Sequence, residues 1–146
     1  MANLKLSQLP AASALTGDEI VPVVQGGQTR RSTVAAIADV RKGAWVAPTL
    51  NAPWTSYGDV FATAAIRKDG SRVQFRGVVK GGAGGTVLFT VPAGYRPPTQ
   101  QIFATLSDAA AVTRIDVRPT GDVLVGLPPS TAVAWLSLDG IGYYAD

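Results

Sequence analysis

The side chains able to do chemistry are few. The 146-residue chain has thirteen basic and ten acidic residues, and neither histidine nor cysteine. Cleaving a glycosidic bond needs two carboxyl groups facing each other across a cleft. Glu19 is the only glutamate, and Asp18, Asp69, Asp122 and Asp139 each adjoin a glycine, the pairing that turns demand. Asp59 and Asp116 are the acids expected in or beside strands of the main domain, so no catalytic pair stands out. The lack of histidine removes the commonest general base and metal ligand. The lack of cysteine removes thiol nucleophiles, disulfides and zinc–thiolate sites. The glycine run 81–85 precedes Thr86. A phosphate-binding P-loop, however, ends in Gly-Lys-Ser/Thr, and here Lys80 comes before the glycines; the run reads as a flexible hairpin loop. The expectation is a protein without catalysis, metal or cofactor.

Side chains suited to recognition are more plentiful. Tyr57, Tyr95, Tyr143 and Tyr144 each combine an apolar ring with a polar tip, and Tyr95-Arg96 lies on a proline-flanked turn. Rings of this kind beside arginine or carboxylate suit sugars, so these five residues are the candidate receptor contacts. Trp54, Phe61, Phe75, Phe89, Phe103 and Trp135 stand in strand-like contexts and read as core or subunit-interface residues. Trp45 belongs to the segment before them. The net charge is +3, and the basic residues cluster no more densely than the pairs Arg30-Arg31 and Arg41-Lys42. A nucleic-acid binder shows a denser stripe, so no nucleic-acid partner is expected. No apolar run has the ~18 residues of a membrane-spanning helix. The opening Met1-Ala-Asn-Leu-Lys-Leu6 lacks the features of a signal peptide. Insertion into a membrane is not expected.

The elements that position these residues change character near residue 45. Apolar residues make up 47% of the chain, enough for a packed core. Residues 1–44 read as an attachment arm, 45–53 as an extended linker carrying Pro48 and Pro53, and 54–146 as strands and turns. In the arm, 20–24 reads as a short strand that Pro22 confines to an edge. Gly26-Gly27 reads as a two-residue hairpin turn and 28–31 as the return. Ser32 or Thr33 caps a short helix over 34–41. This arm holds too little apolar material to bury a core by itself. In the main domain, strands are expected at 60–67, 72–80, 86–91, 101–106, 112–118, 122–127, 132–138 and 141–145. Val73, Phe75, Gly77 and Val79 alternate with Arg72, Gln74, Arg76 and Val78, the period of a half-buried strand. About eight strands at this spacing predict an all-β fold: an antiparallel, jelly-roll-like β-sandwich, preceded by an extended arm with a short hairpin and one short helix.

Four segments of the arm, Ser7-Gln-Leu-Pro10, Ala14-Leu-Thr-Gly17, Glu19-Ile-Val-Pro-Val-Val-Gln-Gly-Gly27 and Thr29-Arg-Arg-Ser-Thr33, resemble the opening of tailed-bacteriophage tail-fibre and tailspike proteins. There this segment joins the fibre to the virion. Carried over, the resemblance implies virion attachment through Leu9, Pro10, Leu15, Ile20, Val21, Pro22, Val23, Gly26, Gly27, Arg30 and Arg31. Further on, Ile66-Arg-Lys-Asp-Gly70, Val73-Gln-Phe-Arg-Gly77 and Phe89-Thr-Val-Pro-Ala-Gly-Tyr-Arg-Pro97 look like the small trimeric β-sandwich at the C-terminus of such fibres. The long shaft that normally separates the two parts is replaced here by the short linker. The resemblance implies a homotrimeric structural protein of the virion, assembled in the host cytoplasm and released by lysis. Its arm would bind other virion proteins and its sandwich would adhere to host surface polysaccharide. A purely architectural head, neck or baseplate fibre is the alternative, and a polysaccharide depolymerase a second.

Overall fold

In the computed structural model, which describes residues 12–108 and 112–146, the chain divides into two compact units. The first ends at Arg41 and the second runs from Lys42 to Asp146.

The first unit is a hairpin and one turn of helix. Strand β1 (Ile20–Gln25) pairs antiparallel with β2 (Gln28–Thr33), Pro22 opposite Arg31. Gly26 and Gly27 close it with φ of 60° and 74°, the double left-handed turn whose twist matches a hairpin. Thr33 ends β2 and caps helix α1 (Val34–Asp39), its Oγ1 accepting from Ala36 N–H at 3.1 Å. The helix stops two residues short of the expected end. Ahead of the hairpin, the Glu19 carboxylate accepts from Thr16 N–H at 2.7 Å and Gly17 N–H at 2.8 Å. These bonds, the one from Thr16 first, hold its pKa down at about 2. Among residues 12–41 none is buried, and Ile20, Val24 and Val40 are mostly exposed.

The second unit is the all-β sandwich. Its elements are β3 (Thr55–Ser56), β4 (Ala65–Asp69), β5 (Arg72–Arg76), β6 (Val78–Lys80), β7 (Val87–Thr90), β8 (Gln101–Leu106), β9 (Val112–Val117), β10 (Asp122–Val125), β11 (Leu136–Ser137) and β12 (Gly142–Tyr144). One leaf is a four-stranded sheet in the order β7-β10-β9-β8; the other is split into β12-β5-β4 and β11-β6-β3. Period-two alternation sends Val73 and Phe75 of β5, Val79 of β6, Ile115 and Val117 of β9, and Val123 and Val125 of β10 into one core with Phe89 and Leu136. Phe75 meets Phe89 across the leaves at 5.4 Å. A bridge from Ser107 to Leu136 joins the leaves along one side, and Asn51 covers the edge of β7 through bonds to Leu88 O and Val87 O.

The split in the second leaf has one cause. The run 72–80 breaks at Gly77, whose φ is +100° and whose backbone lies so close to the loop 62–63 that a Cβ would stand 2.5 Å from Thr63 O. Leucine-rich or β-branched sequence cannot occupy such a point, and glycine has the freedom to do so. The expected strand 60–67 is shortened for the same reason. Residues 60–64 form a loop packed against Gly77, and β4 begins at Ala65. Residues 132–138 supply only β11, because Val133 instead exchanges hydrogen bonds with Gly81 and Gly82. The glycine run is packed rather than flexible: a Cβ on Gly82 would overlap the Trp54 indole. Gly84 and Gly85 N–H donate to Pro129 O and Val125 O, each at 2.7 Å. Residues 45–53, read as a linker, run along this unit, Val46 bridging Ile66 and Asn51 bonding Leu88.

Candidate functional site

The outer face of β11-β6-β3 carries a cleft of about 370 Å³ lined by Tyr57, Phe61, Val78, Trp135, Ser137 and Asp139. Register explains it. Leu136 pairs with Val79 and Ser137 with Val78. Since Leu136 and Val79 point into the core, Val78 and Ser137 face outward as the floor. Tyr57 follows β3 and donates its N–H to Val78 O at 2.8 Å. The loop beyond it turns at Gly58 and Asp59, with φ of 81° and 56°, and brings Phe61 edge-to-face onto Tyr57 at 5.2 Å. Lys80 Nζ lies 4.9 Å from the Tyr57 ring. Opposite, Trp135 is held through its carbonyl, which accepts from Asp108 N–H, while Asp108 Oδ2 accepts from Ala134 N–H at 2.7 Å. Asp139 enters beside Ser137, its Oδ1 accepting from Gly77 N–H at 2.9 Å. The residue that splits the leaf therefore also fixes the carboxylate of the cleft.

Three rings, a hydroxyl and a carboxylate suit a sugar. Ring faces pack on its C–H surface, while Ser137 and Asp139 accept or exchange hydrogen bonds with its hydroxyls. Asp139 is the one acid among the lining residues, whereas glycoside cleavage uses two. The lining thus offers rings, a hydroxyl and one carboxylate to whatever enters the cleft.

Of the candidate receptor contacts, only Tyr57 lies in this cleft. Tyr143 is corrected outright: it is 4% exposed and packs between Phe75 and Phe103 at 5.9 and 6.3 Å. Its hydroxyl donates to Tyr95 O at 2.7 Å, and burial pushes its phenol above the usual tyrosine range. Alternation along β12 turns it inward and leaves Tyr144 outward at 62% exposure. Tyr95 half-covers the core on a 3-10 turn, Ala93–Tyr95, and Arg96 bonds Val91 O at 3.4 Å. Phe61 and Trp135, read as core or interface residues, lie outside the core and wall the cleft; Phe61 is 48% exposed. Nothing in their spacing separated them from core aromatics, although Gly58-Asp59 before Phe61 signals the loop that exposes it. Of the attachment residues, Leu9 and Pro10 lie outside the described residues. Leu15, Ile20, Pro22, Gly26, Gly27, Arg30 and Arg31 are exposed, and Val21 and Val23 are half-buried. Arg31 also lines a shallow groove with Asp18, Ile20 and Thr33.

The second unit thus belongs to the class of antiparallel β-sandwiches with an aromatic cleft on one outer face. Among solved structures the chain is similar to the receptor binding protein (gp15) of Listeria phage PSA, with a TM-score of 0.59 at 21% identity over 77% of this chain and 71% of that one. At this identity the likeness is one of fold. No family model matches the chain, and no curated protein matches it.

Proposed function

We propose that this chain is a non-catalytic structural protein of a tailed-phage virion that binds the particle through its first unit and a host surface glycan through its sandwich. The aromatic cleft on a sandwich shared in fold with a phage receptor binding protein carries the reading. The first unit supports anchoring, because its apolar side chains find no core among residues 12–41 and would gain burial on binding a partner. Self-association as a homotrimer uses the outer face of β8 and β9, where Ile102, Leu106 and Val112 are 62%, 65% and 62% exposed. Leu106 lies opposite Val112. Beside them the Arg114–Asp116 pair, 2.7 Å apart, neutralises its own charge, so the face can be covered without stranding an ion.

The test is binding of the labelled full chain to host cells and to their extracted polysaccharide, with Trp135→Ala and Phe61→Ala as variants. Binding lost in both variants while thermal unfolding is unchanged supports the reading. No binding by the parent chain favours a purely architectural fibre, and shortening of the polysaccharide on incubation favours a depolymerase.

A further inference from the structure

The other outer face of the same leaf carries a different chemistry. Residues 42–46 extend the β12-β5-β4 sheet beyond β4 through the bridges Lys42–Asp69 and Val46–Ile66, with Gly43 N–H donating to Lys68 O at 2.9 Å. This lays Trp45 on the outward face. The guanidinium carbons of Arg67 and Arg76 lie 4.6 and 4.3 Å from its ring centre. Arg67 Nε is further fixed by Gln74 Oε1 at 2.8 Å, and Arg76 Nε is buried without a hydrogen-bond partner. Alternation along β5 puts Arg72 on this face with Gln74 and Arg76, and Tyr144 lies opposite Arg72 on β12. None of Arg67, Arg72 and Arg76 forms an ion pair with a described carboxylate.

The face carries three cations, two of them held on a single indole, against one carboxylate, Asp69, which lies opposite Arg72; it is net cationic, and an anion bound beside Arg67 and Arg76 relieves their repulsion. Stacking fixes the guanidinium planes; with Arg67 Nε bonded to Gln74 and Arg76 Nε buried, it is the terminal Nη groups that remain for an acceptor, at a reduced ordering cost. Planar forks of this kind match phosphate or carboxylate in two-point fashion. Arg72 and Arg76, four residues apart on one strand, are separated by about 13 Å at the strand rise of ~3.3 Å per residue. Arg67, opposite Gln74, falls between them, so the face offers a short cluster of three cations beside an aromatic ring rather than the long basic stripe of a nucleic-acid binder.

We propose that this face, centred on Arg67, Trp45 and Arg76, binds an anionic polysaccharide whose repeat carries a carboxylate or phosphate. The proposal rests on the adhesion reading above and adds a second subsite with its ligand class.

The probes are hyaluronan and phosphorylated dextran for the two anions, neutral dextran as control, and oligothymidylate for nucleic acid, each titrated onto the full chain. Expected are binding of a charged polysaccharide that weakens as salt rises, no binding of neutral dextran, and a tenfold or greater loss in the double variant Arg67→Gln/Arg76→Gln. Should that variant unfold, Arg72→Gln alone, at an exposed position, is expected to lose severalfold. Equal binding of neutral dextran, undiminished binding by the variants, or preference for oligothymidylate overturns the proposal. Trp135→Ala should leave hyaluronan binding intact. If the parent chain does not adhere to host cells yet binds a charged polysaccharide, the adhesion reading alone falls; if it adheres and binds no charged polysaccharide, this one does.

Discussion

Replacing Gly77 by alanine should be among the most destructive single-methyl changes in the sandwich. Two terms add. Alanine at a φ of +100° incurs backbone strain of about 1–3 kcal/mol. Its Cβ would also stand 2.5 Å from Thr63 O and 2.7 Å from Ala62 O. These are backbone atoms, and their loop is itself tied down by Val78 N–H to Ala62 O and Ala64 N–H to Ser56 Oγ, so relief requires moving the chain. Overpacking of this kind costs about 1–3 kcal/mol. The sum, roughly 4 kcal/mol, is a large share of the ~5–15 kcal/mol that holds a domain together, and corresponds to a fall in Tm of roughly 15 °C for a unit of this size. Gly85→Ala is the control: its φ is +79°, yet nothing lies within 4 Å of the added methyl, so it carries the strain alone. Urea unfolding followed by tryptophan fluorescence should place the midpoint of Gly77→Ala well below that of Gly85→Ala. The gap in free energy should be about 1–3 kcal/mol, the overpacking part. Coincident midpoints would show that the approach of loop 62–63 to Gly77 is not a constraint, and the explanation of the split leaf would fall with it.

Tyr143→Phe removes the bond to Tyr95 O and should cost about 1 kcal/mol in urea unfolding. Because burial raises the Tyr143 phenol, the stability this protonated group confers is complete below the ordinary tyrosine range and is lost only as pH climbs past it. A spectrophotometric titration should show one late-titrating tyrosine that disappears in Tyr143→Phe. Glu19 has the opposite sign. Its pKa is lowered from 4.5 to about 2, so its hold on the Thr16–Gly17 turn is complete above pH 4.5 and fades as pH falls towards 2. Protection of the Thr16 and Gly17 amides, measured as exchange relative to the unstructured rate at each pH, should fall over that window in the parent chain, and Glu19→Gln should abolish that change. Leu106→Glu, at a 65% exposed position on β8, should leave the chain folded and reduce the sedimenting species to a monomer, with a Tm that no longer depends on protein concentration.

Much of the architecture was legible in alternation and turn chemistry. Val73 and Phe75 against Arg72 and Gln74 gave β5 and its inward face, Gly26-Gly27 gave the hairpin of the first unit, and the Ser32-Thr33 pair gave the cap of its helix, of which the structure uses Thr33. Strand ends were less legible, because they depend on contacts between distant segments. Nothing local marks Gly77 as the point where loop 62–63 presses on the sheet, or Val133 as bound to Gly81 and Gly82 rather than to a strand. The cleft was missed for a related reason. Phe61 and Trp135 have the composition of core residues, and only the register of β11 on β6, which turns Leu136 inward, decides that Ser137 and its neighbours face out. Tyr143 and Tyr144 show the converse: adjacent tyrosines look alike in a sequence, and the pleat assigns one to the core and the other to solvent.

The distribution of chemistry over the sandwich bears on how weak sites become strong ones. All the large inward side chains serve a single core, so the three outer surfaces are free to differ: apolar on β8 and β9, aromatic on β11-β6-β3, arginine-rich on β12-β5-β4. The apolar face belongs to the four-stranded leaf, and both proposed ligand faces belong to the leaf across the core from it. Association through β8 and β9 therefore consumes neither of them. A single cleft with three rings and one carboxylate, or three arginines at the surface of a sheet, gives modest affinity, because partly solvated polar contacts exchange with water at little net gain. Several copies held together meet a repeating polymer with every later contact made intramolecular, which raises avidity by about 10²–10⁴ without any new contact. On this argument a polymeric ligand and a self-associating sandwich are mutually required. A short oligosaccharide should bind the parent chain and the Leu106→Glu monomer alike, while only the parent should hold firmly to a surface.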